Sequence, residues 1–196
     1  TIPLFMAGDK QYFYYSKLIS SQNQLKISIM GENNLEKTGF KTGFAGVKLY
    51  EGGNMSYELR IKEKMKMLFF YARQILLNPS YINPSLFDTI KAFASYYVIQ
   101  HNHLNIFDYI TWDEKLVENT IINEYGWEID PGTKTTWRIG DGTTAFYNYI
   151  YYIIAGFTEN DTFRSNQIRE GLITRSEAIK KIEIENQPRW DSMQWY

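Results

Sequence analysis

The feature that most constrains the fold of this chain is a series of helix-start and helix-end signals beginning near residue 57. Three Thr-x-x-acid segments have the spacing of a capping box, in which hydroxyl and carboxylate each bind a free backbone amide. They are Thr111 with Glu114, Thr158 with Asp161, and Thr174 with Glu177. Gly126 and Gly171 follow helical runs, where a left-handed glycine commonly ends a helix. These signals predict helices near residues 57–77, 85–100, 113–124, 144–156, 159–170 and 175–185.

The first 50 residues have an α/β pattern. Apolar spacing predicts a helix over residues 9–21, and residues 25–29 alternate as a β-strand does. A Gly-Glu-Asn turn follows the strand, at the end where open α/β sheets place ligand contacts, so Glu32 is a candidate for the substrate or amine end of a site. Residues 38–46 are glycine-rich and include Lys41, which is typical either of a plain connection or of a phosphate-binding loop.

Charge and cysteine content exclude several classes of protein. The 196 residues carry a net charge of -1, which supplies no overall field for nucleic acid or an acidic membrane, so we expect neither as a partner. The sequence has no cysteine, which excludes a disulfide scaffold, a cysteine zinc site and a thiol nucleophile. Aromatic residues make up 17% of the chain, with 16 tyrosines, which indicates a surface that meets a polar cleft or another chain.

His101 and His103 are the two histidines of the chain. On a strand they would share one face and could bind a metal, but no cysteine or third histidine accompanies them. The interpretation we favour is that they lie at the carbonyl end of the 85–100 helix, where positive charge is stabilising. We therefore predict no metal site.

Asp113 and Glu114 are a pair of neighbouring carboxylates that could act as a general acid and base. Their position at the start of a helix fits helix capping better than acid–base catalysis.

Residues 145–157 form the longest nearly apolar stretch, which is shorter than a membrane span requires and predicts a buried helix. Directly before it, Lys134, Arg138, Gly142 and Thr143 combine two cations, a glycine and a hydroxyl with a helix N-terminus. Such an arrangement is typical of an anion site for phosphate or pyrophosphate. Arg164 and Arg169 form a second basic group, but a spacing of five residues places them only roughly on one helix face. Both groups could equally be solvated surface.

The sequence as a whole resembles the C-terminal half of the PP-loop ATP pyrophosphatases. The similarity runs from Gly8 to Arg189 and includes the segments GENNLEKTGFKTGFAGVK, WRIGDGTTAFYNYIYY and REGLITRSEAI. The most similar branch contains the asparagine-synthetase-like and N-acetyl-sugar amidotransferase proteins of bacterial surface-polysaccharide clusters. The resemblance implies that residues 1–50 are the C-terminal portion of an α/β nucleotide-hydrolase-like (HUP) sheet domain. Residues 51–196 would then form a helical lobe on the pyrophosphate and substrate side.

The resemblance also implies a reaction. Proteins of this family use ATP and magnesium to adenylate a carbonyl oxygen of a sugar-linked or carboxylate substrate. Ammonia from a glutaminase partner then displaces AMP. Lys134 and Arg138 are similar to a family element that contacts pyrophosphate. Their position at a helix N-terminus makes Gly142 and Thr143 further candidate anion donors, and its place at a strand end makes Glu32 a candidate contact of the substrate or amine. Arg164 and Arg169 resemble a later basic segment of the family more loosely.

One family element is absent from the sequence. No Ser-Gly-Gly-x-Asp-Ser loop, which opens the nucleotide site of the family, occurs between Thr1 and Tyr196. We therefore expect a piece of a longer cytoplasmic enzyme that lacks its N-terminal PP-loop half and is inactive alone, or else a descendant of the family that no longer binds ATP. The alternative is a non-catalytic helical interaction module that docks a glutaminase or a polysaccharide-assembly partner, because tyrosine is enriched at protein interfaces.

Overall fold

The computed structural model describes residues 8, 10–36, 39–47, 59–99, 103–129 and 143–194. The described residues are mostly helical, with one two-stranded parallel sheet. This agrees with the prediction of a predominantly helical chain that keeps a small piece of parallel sheet. The backbone contacts divide the chain into two compact units. Unit 1 contains residues 1–30 and 39–105, and unit 2 contains residues 31–38 and 106–196. The predicted boundary at residue 50 therefore lies within the sequence span of unit 1.

The described part of unit 1 contains three α-helices and the sheet. The helices are α1 (Gln11–Gln22), α2 (Ile61–Leu77) and α3 (Ser85–Phe93). Strand β1 (Ser28–Met30) pairs in parallel with β2 (His103–Asn105), with Ser28 opposite His103. The expected strand over residues 25–29 is thus shorter and lies later in the chain. Ile27 and Ile29 are exposed, so the alternation does not mark a buried strand face here.

Two further segments of unit 1 depart from the predictions. The glycine-rich segment forms a 3₁₀ helix (Gly39–Ala45) that closes at Gly46, where φ is +71°. The predicted 85–100 helix ends as an α-helix at Phe93 and continues as one wide π turn (Ala94–Val98). Ser95 and Tyr97, which would lie on opposite sides of a regular α-helix, are both buried.

The core of unit 1 is apolar and aromatic. Val47, Met67, Ala92 and Tyr97 are buried together, with half-buried aromatic rings packed around them. The ring of Tyr97 lies 4.8 Å from that of Phe93. Burial raises the pKa of Tyr97 and of Tyr71, because a phenolate loses its hydration in such surroundings.

Unit 2 contains five α-helices among the residues that the structure describes. They are α4 (Glu114–Asn123), α5 (Thr143–Ala155), α6 (Glu159–Arg169), α7 (Arg175–Glu185) and α8 (Trp190–Met193). The predicted capping boxes at Thr158 and Thr174 are confirmed, and Gly126 and Gly171 have the predicted positive φ of +63° and +70°. The box predicted at Thr111 is wrong, since Asp113 is the N-cap and accepts from the amides of Lys115 and Leu116.

Helix α5 is buried along one face rather than on all sides. Ala145, Asn148 and Tyr151 recur every three residues and are buried, whereas Tyr152, Ile153 and Ile154 are exposed. The helix predicted over this stretch is therefore present, and its burial in this chain is confined to one face. None of the described helices is both long enough and apolar enough to cross a bilayer.

Candidate functional site

Arg164 is a deeply buried charged residue of unit 2, with 2% of its surface exposed. It lies on α6 between two carboxylates. Its Nη1 atom donates to both oxygens of Glu114, at 2.8 and 2.7 Å. Its Nε donates to Glu185 Oε2 at 3.1 Å, and its Nη2 donates to the other oxygen of the same carboxylate. The guanidinium therefore joins α4, α6 and α7.

Two more side chains complete this cluster. The side-chain amide of Gln167 donates to Glu114 Oε2 at 2.7 Å and accepts from Arg164 Nη1 at 2.7 Å. The ammonium of Lys181 lies 3.4 Å from Glu114 Oε2. We call these five residues the α6 ion cluster: Glu114, Arg164, Gln167, Lys181 and Glu185. Two cations face two carboxylates, so its formal charges balance.

The electrostatics of the cluster favour its ionised state. Burial alone would raise the pKa of Glu114, but hydrogen bonds from Arg164 and Gln167 outweigh burial and lower that pKa below its ordinary value. Burial alone would lower the pKa of the Arg164 guanidinium. Its hydrogen bonds to the carboxylates of Glu185 and Glu114 outweigh burial and raise that pKa. Glu118 lies near the rim, where burial and the charge of Glu114 raise its pKa. Arg164 is thus a fixed cation whose donors point at protein oxygens.

Arg169 has a different environment from Arg164, although both belong to α6. It is exposed, and its Nη1 donates to Asn166 Oδ1 at 2.7 Å. The amide of Asn166 in turn donates to the carbonyl of Leu35 at 2.9 Å. The structure thus separates the two arginines that the sequence grouped, which agrees with their spacing of five residues. Only Arg169 presents its guanidinium at the surface.

The predicted anion site lies partly outside the described residues. Lys134, Arg138 and Gly142 belong to residues 130–142, of which nothing is described. Thr143 is the first residue of α5, as the prediction of a helix from about residue 144 requires. In the first turn of α5, the Tyr147 hydroxyl donates to Thr144 Oγ1 at 3.4 Å. The helix N-terminus therefore follows the predicted cation segment directly.

Glu32 follows the carboxyl end of β1, as predicted, and is partly buried. His103 lies on β2 rather than at a helix end, and its ring is 6.0 Å from that of Phe13. The prediction that it stabilises the end of the 85–100 helix is wrong, because that helix ends earlier. His101 lies outside the described residues. Within the part of the chain that is described, no three His, Asp or Glu side chains are grouped as a metal site would require.

The sequence interpretation missed the α6 ion cluster. Glu114 was explained by capping, which is a local role, whereas its partner Arg164 is fifty residues away in the chain. One signal was present: Lys181 and Glu185 are four residues apart and share a face of α7. That spacing predicts a charged face but not its burial.

Comparison with protein-family models, with curated proteins and with solved structures found no match for this chain.

Proposed function

We propose that this chain is the C-terminal part of an ATP-dependent amidotransferase or ligase that acts in surface-polysaccharide biosynthesis. The full enzyme adenylates a sugar-linked or carboxylate substrate, releases pyrophosphate, and transfers ammonia supplied by a glutaminase partner. In this proposal, residues 1–50 continue a HUP-type sheet domain whose PP-loop half is contributed by another part of the protein or by another subunit. The reaction takes place in the cytoplasm, where ATP is available.

The observation that carries the proposal is the start of α5 at Thr143. The Lys134–Gly142 segment directly precedes in sequence α5, a helix of 13 residues, and backbone amides point outward along the axis at a helix N-terminus. Such amides and the helix dipole favour an anion, and Lys134 and Arg138 add two formal charges. In the proposal these groups stabilise the charge that develops on the departing pyrophosphate.

The chain's other predicted residues have narrower roles in this proposal. Thr143 donates its hydroxyl to the anion, Glu32 contacts the substrate or the amine, and Arg169 lies at an exposed position within reach of solvent. Arg164 is left out of the anion site, because Glu114 and Glu185 occupy its donors. Its role in the proposal is to hold α6 to α4 and α7.

Magnesium would neutralise charge on the phosphates of ATP, but the described residues offer it no ligand set. Carboxylate oxygens are the ligands that magnesium prefers in proteins, and those of Glu114 and Glu185 are bound to Arg164. We therefore assign no residue of the described chain to magnesium and derive no step from it.

A calorimetric titration with pyrophosphate tests the anion site on the chain as it is. We expect binding by the wild type and a roughly 10- to 100-fold weaker affinity for Lys134→Ala and for Arg138→Ala, since hydrogen bonds to charged groups contribute about 1.5–3 kcal/mol. Lys180→Ala removes an exposed cation of α7 and is the matched control. Unchanged affinity in both site variants would refute the assignment. Formation of AMP by the 196-residue chain alone would refute the prediction that this chain is inactive without its PP-loop half.

A second candidate function is that of a non-catalytic docking module. It is favoured by the exposed face of α5, where Ile154 is 65% exposed beside Tyr152 and Ile153. Large exposed apolar groups in one patch are typical of a protein interface. The gene sequence upstream of Thr1 separates the two candidates. An in-frame Ser-Gly-Gly-x-Asp-Ser segment supports the enzyme, and its absence supports the module.

A further inference from the structure

Helix α2 is the most positively charged of the described helices. It carries Lys62, Lys64, Lys66 and Arg73 against the single acid Glu63, a net charge of +3 in a chain whose overall charge is -1. Three of the four cations lie in its first two turns. Positive charge is unfavourable in the first turn, where Lys62 and Lys64 lie, because the helix dipole is positive at the N-terminus. The lysines therefore do not serve the stability of α2 itself, which points to an external negative partner.

The exposed face of α2 is apolar. At 100° per residue, Ile61, Met65, Leu68, Phe69 and Leu76 fall within one arc, which we call the α2 stripe. All five are exposed, Ile61 to 81%, Phe69 to 73% and Leu76 to 78%. Met67, on the opposite side, is buried in the core of unit 1. The helix is thus fixed to unit 1 by one face and presents the stripe with the other.

The cations of α2 flank the stripe on both sides. Lys62, Lys66 and Arg73 follow its Phe69 edge, and Lys64 lies beyond its Leu68 edge. An open depression of about 830 Å³ brings Lys62, Lys66 and Arg73 together with Met65 and Phe69. Long basic side chains beside an apolar surface can extend their charged ends toward a separate polar layer. An occupant of this face must therefore be apolar at its centre and anionic at its edges.

We propose that α2 docks unit 1 on the surface of an anionic lipid bilayer. The stripe would enter the boundary between headgroups and acyl chains, and the flanking cations would meet lipid phosphates. Nucleic acid fits less well, because its phosphate backbone offers no apolar surface for Ile61, Phe69 and Leu76. This proposal departs from the expectation, based on the overall charge of -1, that an acidic membrane is not a partner. The local cations of α2 decide the interaction, since the field of distant exposed charges is screened within about 8 Å at physiological salt. The inference is independent of the proposed enzymatic function.

Vesicle flotation with the complete 196-residue chain tests the docking. We expect the protein to float with vesicles of mixed phosphatidylcholine and phosphatidylglycerol, and to stay behind with phosphatidylcholine alone. The triple variant Lys62→Gln, Lys66→Gln and Arg73→Gln should lose roughly 100-fold in partition coefficient, because each cation near an anionic surface contributes roughly fivefold. The matched control neutralises Lys17, Lys115 and Lys180, which are exposed cations on other helices, and should bind as the wild type does.

A fluorescent label separates lipid contact from a protein contact. Since the chain has no cysteine, Phe69→Cys gives a single labelling site on the stripe, and Ile153→Cys gives one on the uncharged face of α5. A polarity-sensitive dye at position 69 should shift to the blue with anionic vesicles, and the dye at position 153 should not. Equal binding to neutral vesicles, equal loss in the lysine control, or a shift at position 69 that follows protein concentration without vesicles would overturn the proposal. The last result would assign the stripe to a second copy of the chain.

Discussion

The two units of this protein bury different kinds of side chain. The core of unit 1 consists of Val47, Met67, Ala92 and Tyr97, with aromatic rings around them. In unit 2, the apolar cluster of Leu35, Trp112 and Phe163 is accompanied by the α6 ion cluster. Arg164 is the largest fully buried side chain among the described residues. The stability of unit 1 therefore depends mainly on apolar area, and that of unit 2 also depends on charges that must remain paired.

The largest effect should come from Arg164→Ala. The substitution leaves Glu185 buried without its cation and leaves Glu114 with Lys181 alone, and breaking a buried ion pair in this way costs about 3–5 kcal/mol. Urea unfolding measures the loss, and hydrogen exchange should rise in α4, α6 and α7. Arg169→Ala, on the exposed side of the same helix, should change the free energy of unfolding by less than about 0.5 kcal/mol.

A compensated variant sharpens the interpretation of Arg164. Replacing Arg164 with Met, and Glu114 and Glu185 with Leu, removes all three buried charges at once. Such replacements are often neutral or stabilising, so most of the lost stability should return. If the triple variant were as unstable as Arg164→Ala, the cost would lie in packing volume or in the buried amide of Gln167, which loses both Glu114 and Arg164, rather than in unpaired charge.

The matching truncation in unit 1 is Met67→Ala. Met67 is buried beside Val47, Ala92 and Tyr97, and its truncation should cost about 3 kcal/mol through lost transfer energy and the cavity left behind. Because no charge is involved, the loss should be the same at low and high salt, and hydrogen exchange should rise in α2 and α3. Met67→Leu is the control and should cost less than about 1.5 kcal/mol. A strong salt dependence of the Met67→Ala loss would contradict the contrast between the units.

The difference between the cores also explains what the sequence could predict. Helix ends depend on signals a few residues apart, and those at Thr158, Thr174, Gly126 and Gly171 were correctly assigned. Strand β1 was less predictable, because its partner β2 lies some seventy residues later and no turn fixes their register. The π turn after Phe93 carries no local signal of its own.

In the candidate site too, the features that depend on nearby residues could be predicted, and those that depend on residues far apart in the chain could not. The start of α5 at Thr143 was predicted from the change from a polar, glycine-containing segment to an apolar run. The burial of Arg164 was not predicted, since nothing within one helical turn of it identifies Glu114 as its partner. Glu114 also stands where a capping residue was expected, and that local explanation concealed its long-range contact.

Acid should weaken unit 2 before unit 1. The pKa of Glu114 is lower in the folded protein than in the unfolded chain, so its ionised form stabilises unit 2 at neutral pH. The stability that ionised Glu114 contributes is complete above the pKa of about 4.3 that the carboxyl has in the unfolded chain. It is lost as pH falls through the lower pKa of the folded protein. Hydrogen exchange over α4 and α6 should therefore rise at low pH relative to α2 and α3. Glu114→Gln should reduce this difference, and an unchanged acid response would contradict the assignment.

Alkali should weaken unit 1 instead. Burial raises the pKa of Tyr97 and Tyr71, so their neutral forms are favoured in the folded state. The stability that these neutral tyrosines contribute is complete below their pKa of about 10 in the unfolded chain. It is lost as pH rises above that pKa, because only the unfolded chain then releases these protons freely. Denaturant midpoints measured across this range should fall for the wild type and less for Tyr97→Phe. An equal fall in both proteins would place the alkaline weakness elsewhere.

The smallest effects should come from the two capping boxes of unit 2, which share one motif in different surroundings. Thr174 is exposed and accepts from the amide of Glu177, so Thr174→Ala should cost about 1 kcal/mol. Thr158 is buried, and its hydroxyl also donates to Asn186 Oδ1 at 2.6 Å. Thr158→Ala should therefore cost about 2 kcal/mol, because it leaves a partly buried acceptor without that donor. Serine at either position keeps the hydroxyl and should restore most of the loss. Equal costs for the two alanine variants would mean that buried polar contacts add nothing beyond the local cap, and the contrast between the units would then rest on Arg164 and its carboxylates alone.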